Sequence, residues 1–548
     1  MSQKMDMLSV ILLVSLCSLV QGLSRLDPLV STKSGLIRGL QSDHGYAKFL
    51  GVPYAVVDQN NPFAPSTPHP GFNETFEAYQ STVCPQVDNN IGIGTIDCLS
   101  QDIYVPSIAD SQHRLPVMVY IHGGGFVSGS SGGNGIPRFL LNKDVIAVAI
   151  NYRLGAYGFM CLGIPEVPGN QGLKDQVLAL RWINENIEAF GGNAREITVF
   201  GESAGGMSVN LHLLSLYDSL FQRAIIQSGP ALSPWLMVDT DTVIPLKLAE
   251  ALDFDSEDIK KIVDYFSTVD SHTLVKLAHD LGISRTIGTV NPLTLPCIEV
   301  DIDGVEHFMT DHPLNIVSTK VKTTPIIIGN TNNELPFEYE LQDAEFFSTY
   351  NFDTVNKVFN FDYNLGDPLD AVRHFYIGDE KTSENVKDEI TDFGSDFIFS
   401  HPTQRMAERF LEIGGKSVYR YIFSYSGGRN LLKIAYNLKS AGAIHADDIG
   451  YLFDHDLFKG NDITPADQLT IDSITTLWTN FAKYGDPTPV TSELLPFKWE
   501  PVTKTSQPYL NLDSEITLEG RPFQDRMAFW DLFYILYRDQ QKWLAGAK

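Results

Sequence analysis

The sequence predicts an α/β fold with a large, mostly parallel central sheet flanked by helices. Short apolar runs of strand length recur across the chain at Val117–Ile121, Glu196–Phe200, Thr324–Gly329 and Val418–Phe423. Each runs straight into glycines or a polar loop, as strands buried on both faces do. Turn signals and apolar runs continue from Leu29 to Leu536 without a Gly/Ser- or Pro-rich linker, a charge block or an internal repeat. One body with insertions, spanning 23–548, is therefore expected. Apolar residues make up 43% of the 548 positions, enough for a sizeable core.

The first 22 residues read differently. Lys4 supplies a basic start, Leu8 to Val20 an apolar run, and Val20-Gln21-Gly22 small residues at the cleavage positions. A signal peptide over 1–22 is expected, with the mature chain starting at Leu23 and secreted. The run is shorter than a membrane span, no later stretch is long and apolar enough to be one, and no lipid-anchor or ER-retention signal closes the chain. No stable membrane association is expected.

Acidic residues number 67 against 40 basic ones, a formal charge of −27. Such a surface repels phosphate backbones, so nucleic acid is excluded as a partner. It is read first as a solvated acidic surface. Of five cysteines, Cys17 leaves with the signal peptide, and Cys84 and Cys98 flank a short polar loop that an oxidising route would close by a disulfide. Cys161 and Cys297 lie in apolar surroundings and are expected to be buried thiols, leaving Cys84–Cys98 as the sole bridge. Asn73-Glu74-Thr75 is the one sequon, so Asn73 is expected to be glycosylated.

Four segments carry chemistry. Gly201-Glu202-Ser203-Ala204-Gly205 follows the run ending at Phe200. Alone this pattern is usually an ordinary turn. Behind a strand and ahead of a small-residue helical stretch, it has the form of a tight elbow that projects the Ser203 hydroxyl above the sheet edge. His122-Gly123-Gly124-Gly125-Phe126 follows the run ending at Ile121. Backbone N–H groups stabilise a developing oxyanion only within about 3 Å, and consecutive glycines permit that approach. Gly124 and Gly125, with the N–H of Ala204, are the expected three donors. A phosphate loop is the competing reading, but no Lys-Ser/Thr follows. His122 is expected to be structural. Glu334, in the loop beyond Thr324–Gly329, and His445, within Ala443–Asp448, complete the chain order serine, acid, histidine.

These segments occur with Phe49–Ala55, Asp97-Cys98-Leu99, Asn151–Gly155, Pro168–Gln176, Gln227-Ser228-Gly229, Trp478–Ala482 and Arg526–Trp530. Together they resemble the type-B carboxylesterase and cholinesterase family of α/β hydrolases over nearly the whole mature chain. The stretch His445–Phe453 is most similar to insect secreted esterases. The resemblance implies the α/β-hydrolase fold and a secreted serine hydrolase of carboxylic esters working through an acyl-enzyme. It fixes Ser203, Glu334 and His445 as the catalytic residues, with small-molecule esters as substrates and no cofactor or metal. Trp235 falls where the family lines its acyl pocket, although core packing is the alternative. Val290 and Pro292 fall near the acyl-pocket phenylalanines of cholinesterases and are smaller.

Departures refine this. Cholinesterases stack choline on a Trp in the loop closed by the first disulfide, whereas residues 85–97 contain no aromatic. Neutral esters are therefore expected over choline esters. Glu202 precedes the serine where juvenile hormone esterases usually have Gln. Ile96 and Pro62 occupy the places of a family ion pair, both partners being absent together. A silent adhesion protein would lack part of the triad, and a true lipase would carry an apolar lid that the sequence does not show.

Overall fold

Eleven strands form the central sheet of the computed structural model, which describes residues 28–234, 236–284, 294–362 and 367–543. In chain order they are β1 (Leu40–Gln41), β2 (Tyr46–Pro53), β3 (Ser100–Pro106), β4 (Leu115–Ile121), β5 (Ile146–Ile150) and β6 (Gly192–Glu202). Then follow β7 (Arg223–Gln227), β8 (Ile326–Thr331), β9 (Val418–Phe423), β10 (Pro508–Leu512) and β11 (Thr517–Gly520). The spatial order is β11-β10-β9-β8-β7-β6-β4-β5-β3-β2-β1. From β5 through β4 and β6 to β10 every pairing is parallel, and antiparallel strands close both edges. This is the α/β-hydrolase fold.

The predicted apolar runs fall on β4, β6, β8 and β9. Every residue of β4, β5, β8 and β9 is buried, because helices cover both faces of the sheet. Alternate residues of β4 show this directly. Val117, Val119 and Ile121 join one core cluster, and Met118 and Tyr120 the other. The first core takes in α1 (Gln171–Asn186) and α2 (Ala204–Leu214), and the second takes in α4 (Pro465–Tyr484). Sequence sets the bounds of α4: Thr464 accepts from the Asp467 N–H, Pro465 fills the first turn, and Gly485 stops the helix at φ 71°.

The loop between Cys84 and Cys98 is more ordered than its polar composition implies. Gln86–Asp88 pairs with Ile91–Ile93 as a small hairpin, with Asn89 and Asn90 at φ 45° and 65° in the turn. It packs on α3 (Ser271–Asp280), where the His272 Nε2 lies 2.8 Å from the Gly94 carbonyl oxygen. Where the sequence lacks an ion pair at Ile96 and Pro62, a buried one at Arg153 and Asp175 stands nearby. Arg153 also donates to the carbonyls of Pro62 and Ala64 at 3.0 and 2.6 Å, which ties that segment to α1.

Cys84 and Cys98 are bonded, as expected. Cys161 and Cys297 are not thiols but a second disulfide, 136 residues apart in sequence with Cα atoms 6.5 Å apart. Asn170 holds one partner: its amide donates to the Cys297 carbonyl and its Oδ1 accepts the Cys297 N–H, both at 2.9 Å. Apolar flanks conceal the pairing because the bridge sits in the core. The signal peptide and its cleavage site, Trp235, Val290 and Pro292 lie outside the described residues. Asn73 is exposed in a bend. Among the described residues no helix is long and apolar enough to cross a membrane.

Non-reducing peptide mapping should recover both disulfide-linked pairs. In the chain-entropy account the short loop is worth about 3 kcal/mol and the long one about 5 kcal/mol. Removing Cys161–Cys297 should therefore lower Tm more than removing Cys84–Cys98; the reverse order would reject that account.

Candidate active site

Ser203 occupies the one-residue junction between β6 and α2, with φ 57° and ψ −126°. That conformation costs a non-glycine residue about 1–3 kcal/mol. It persists because both sides are fixed. The Ser203 N–H donates to the Gln227 carbonyl on β7 at 2.9 Å, and its own carbonyl accepts the Met207 N–H at 2.8 Å. A Cβ on Gly205 would lie 1.9 Å from the Ile121 carbonyl oxygen, so only glycine lets α2 press this closely on β4. At its far end α2 is held by Lys320, whose Nζ donates to the carbonyls of His212, Ser215 and Tyr217 at 2.5–3.0 Å.

The glycine loop leaves β4 at Ile121 and passes beside the elbow. A Cβ on Gly123 would lie 3.0 Å from the Ser203 Cβ. Gly124 and Gly125 take φ 107° and 62°. Among the described residues, the N–H groups of Gly124, Gly125 and Ala204 donate to no acceptor of the fold. His122 is buried, stacked on Tyr152 at 4.4 Å, with Nδ1 2.8 Å from the Gly123 carbonyl. Burial lowers its pKa to about 4, so it supports the loop as a neutral ring.

Glu334 and His445 come together although the sequence separates them widely. His445 Nδ1 lies 2.5 Å from Glu334 Oε2, and the His445 N–H donates to the Glu334 carbonyl at 3.1 Å. Glu334 is wholly buried, and its Oε1 accepts from the Thr331 N–H and the Ser228 hydroxyl, each at 2.7 Å. The imidazole packs against Phe399 and Phe337, with ring centroids 4.8 and 5.4 Å away. Its Nε2 is 3.1 Å from Glu202 Oε1 without hydrogen-bond geometry. Glu202 adjoins Ser203 in sequence, but among the described residues Nε2 makes no hydrogen bond, to the Ser203 hydroxyl or to any other group.

Two further acids surround this imidazole. Burial pushes Glu202 up to about 8 against the pull of His445. Asp448, also buried, is raised to about 6 while accepting from Gln227 Nε2 at 2.7 Å and the Tyr421 hydroxyl at 3.1 Å. For His445 itself burial disfavours the imidazolium. Glu202, Glu334 and Asp448 outweigh it, and the pKa rises to about 9. Sequence reasoning noted Glu202 only as a family variant and gave Asp448 no role; their position flanking the serine and following the histidine was the available signal. An oriented imidazole, a serine strained at the elbow and three uncommitted N–H groups suit acyl transfer.

A family model described as the carboxylesterase family matches residues 26–530. The chain belongs to the carboxylesterase family. It is a carboxylic-ester hydrolase. Among curated relatives, the carboxylic ester hydrolase of Bombus ignitus is 33% identical over 84% of this chain and 86% of its own length. Venom carboxylesterase-6 of Apis mellifera is 31% identical over 84% of this chain and 86% of its own. Bile salt-activated lipase of Homo sapiens is 30% identical over 96% of this chain and 72% of its own.

The carboxylates around His445 set a pH prediction for this esterase. An imidazole can accept a proton only when neutral, and Glu202 stabilises the charged ring. Glu202→Gln should therefore move the acid limb of kcat/KM to lower pH by about one unit or more. An unmoved limb, or one moved upward, would show that Glu202 does not act on the imidazole.

Proposed function

We propose that this esterase works by covalent catalysis at Ser203, with His445 as general base, Glu334 as its orienting acid, and Gly124, Gly125 and Ala204 as oxyanion donors. The observation that carries this is the buried Glu334–His445 contact, which leaves Nε2 free 3.1 Å from Glu202, the residue before Ser203. Glu334 holds Nδ1–H and leaves Nε2 to take the Ser203 proton as Oγ attacks the ester carbonyl. The oxyanion turns toward the three N–H groups. His445 then returns the proton to the leaving alcohol, and water repeats the sequence to release the acid. Ser203→Ala should lower kcat/KM by at least about 10⁴-fold while leaving Tm within a few degrees. A loss of less than tenfold would contradict the assignment.

Small, mostly neutral esters are the proposed substrates. The hairpin between Cys84 and Cys98 carries no aromatic side chain to stack on a quaternary ammonium, a contact worth up to about 2 kcal/mol when desolvated. Trp235 is proposed to limit acyl length. Butyrylcholine should be turned over no more than about tenfold better than its uncharged isostere; a larger advantage for the cation would defeat the proposal. Secretion and glycosylation at the exposed Asn73 belong to the same reading, supported by the two disulfides and the signal-like start.

A further inference from the structure

A cavity of about 290 Å³ opens where β9 and β10 end beside the first half of α4. Phe423 and Leu512, the last residues of those strands, are buried and line it with Ile474 of α4. Leu494, Phe497 and Ile516 add apolar wall from two loops. None of Ser203, Glu334 and His445 lines it. The strands that lead to Ser203 and Glu334 run parallel to β9 and β10 and end on the same side of the sheet, where ligands of parallel sheets collect. At about 30 Å³ per position, the share of one water in the liquid, the cavity has room for about ten atoms.

Two features give this hollow a chemistry. Glu493, Asp513 and Glu515 line it, and no lysine, arginine or histidine does. The lysine beside Phe497, Lys498, is committed to Asp486 and to the Thr488 carbonyl. Acidic surface is common on a chain of net charge −27, but here the carboxylates surround an apolar hollow. The second feature is Ser473. The hydroxyls of Thr470, Thr475 and Thr479 on α4 each donate to the carbonyl four residues earlier, at 3.1, 2.6 and 2.7 Å. Ser473 lines the cavity instead; it is 2% exposed, and among the described residues its Oγ has no hydrogen-bond partner. A buried hydroxyl left unpaired is unfavourable, and a donor on a ligand in the cavity would satisfy it.

We propose that this cavity is a binding site for a small amphipathic amine in its ammonium form, separate from the catalytic centre. The hydrocarbon body lies against Phe423, Ile474 and Leu512, and the head donates N–H to Ser473 Oγ and to the surrounding carboxylates. Each feature of the cavity selects one feature of the ligand. The apolar lining selects a hydrocarbon body, since every methylene removed from water strengthens binding about threefold to fourfold. Three carboxylates with no basic residue among them select positive charge and repel anions. The unpaired serine oxygen selects a head that carries N–H. A neutral alcohol lacks the charge, and a quaternary ammonium lacks the donor, so each meets only part of the site.

Calorimetric titration of the full chain with n-hexylammonium, 1-hexanol and hexyltrimethylammonium tests this. Hexylammonium should saturate one site, with a Kd at least about tenfold below that of hexanol and about threefold below that of hexyltrimethylammonium. Glu493→Gln combined with Glu515→Gln, both at exposed positions, should weaken hexylammonium at least about fivefold while ester hydrolysis is retained. Ser473→Ala should erase the preference for hexylammonium over hexyltrimethylammonium. Absence of saturable binding, or equal Kd values for hexylammonium and hexanol, would overturn the proposal. So would an unchanged hexylammonium Kd in the doubly substituted protein, which would place the amine elsewhere, including the catalytic cleft. If the double variant does not fold, an undiminished preference in Ser473→Ala overturns the proposal instead.

Discussion

The contact between α2 and β4 is the constraint on which the site depends. Gly205 meets the Ile121 carbonyl where no side chain could stand, which forces the chain to reverse within Ser203. Ile121 is also the last residue of the strand that releases the glycine loop. One close approach thus places both Ser203 and the glycine loop that passes beside it. The positive φ at Ser203 is the conformational cost of this arrangement, and the hydrogen bond from its N–H to Gln227, together with an α2 anchored by Lys320, holds it in place. Gln227 in turn reaches Asp448 through its side chain, so the elbow and the histidine loop share one support.

Electrostatics complete what sterics begin. A single imidazole lies among three buried carboxylates, of which Glu334 alone hydrogen-bonds it directly. Burying an acid is unfavourable unless it is paired, and each of these is paired differently: Glu334 with two donors and the ring, Asp448 with Gln227 and Tyr421, and Glu202 with the ring's charge alone. In the proposed mechanism an imidazolium at His445 meets acidic groups already in place, without reorganisation.

Legibility in the sequence followed range. The elbow and the glycine loop are contiguous, and their geometry is imposed by neighbouring residues, so Ser203 and Gly123–Gly125 could be read directly. Apolar runs marked β4, β6, β8 and β9 because parallel strands buried on both faces carry no polar alternation. Glu334 and His445 are ordinary loop residues in isolation; chain order and family resemblance singled them out, and only the fold shows the 2.5 Å contact. The Cys161–Cys297 bridge escaped because its partners lie 136 residues apart and meet only in the fold, a contact that no local pattern encodes. The hairpin at Gln86–Ile93 was legible in principle through Asn89-Asn90, yet its polar composition suggested an irregular loop.

The central claim is that the strained serine is the group that becomes acylated. Reaction with a fluorophosphonate, followed by proteolysis and mass mapping, tests it without altering the protein. The account predicts one adduct per chain, on the peptide containing Ser203, with loss of ester hydrolysis in proportion to labelling. Activity lost while Ser203 stays unmodified and another residue carries the adduct would contradict it.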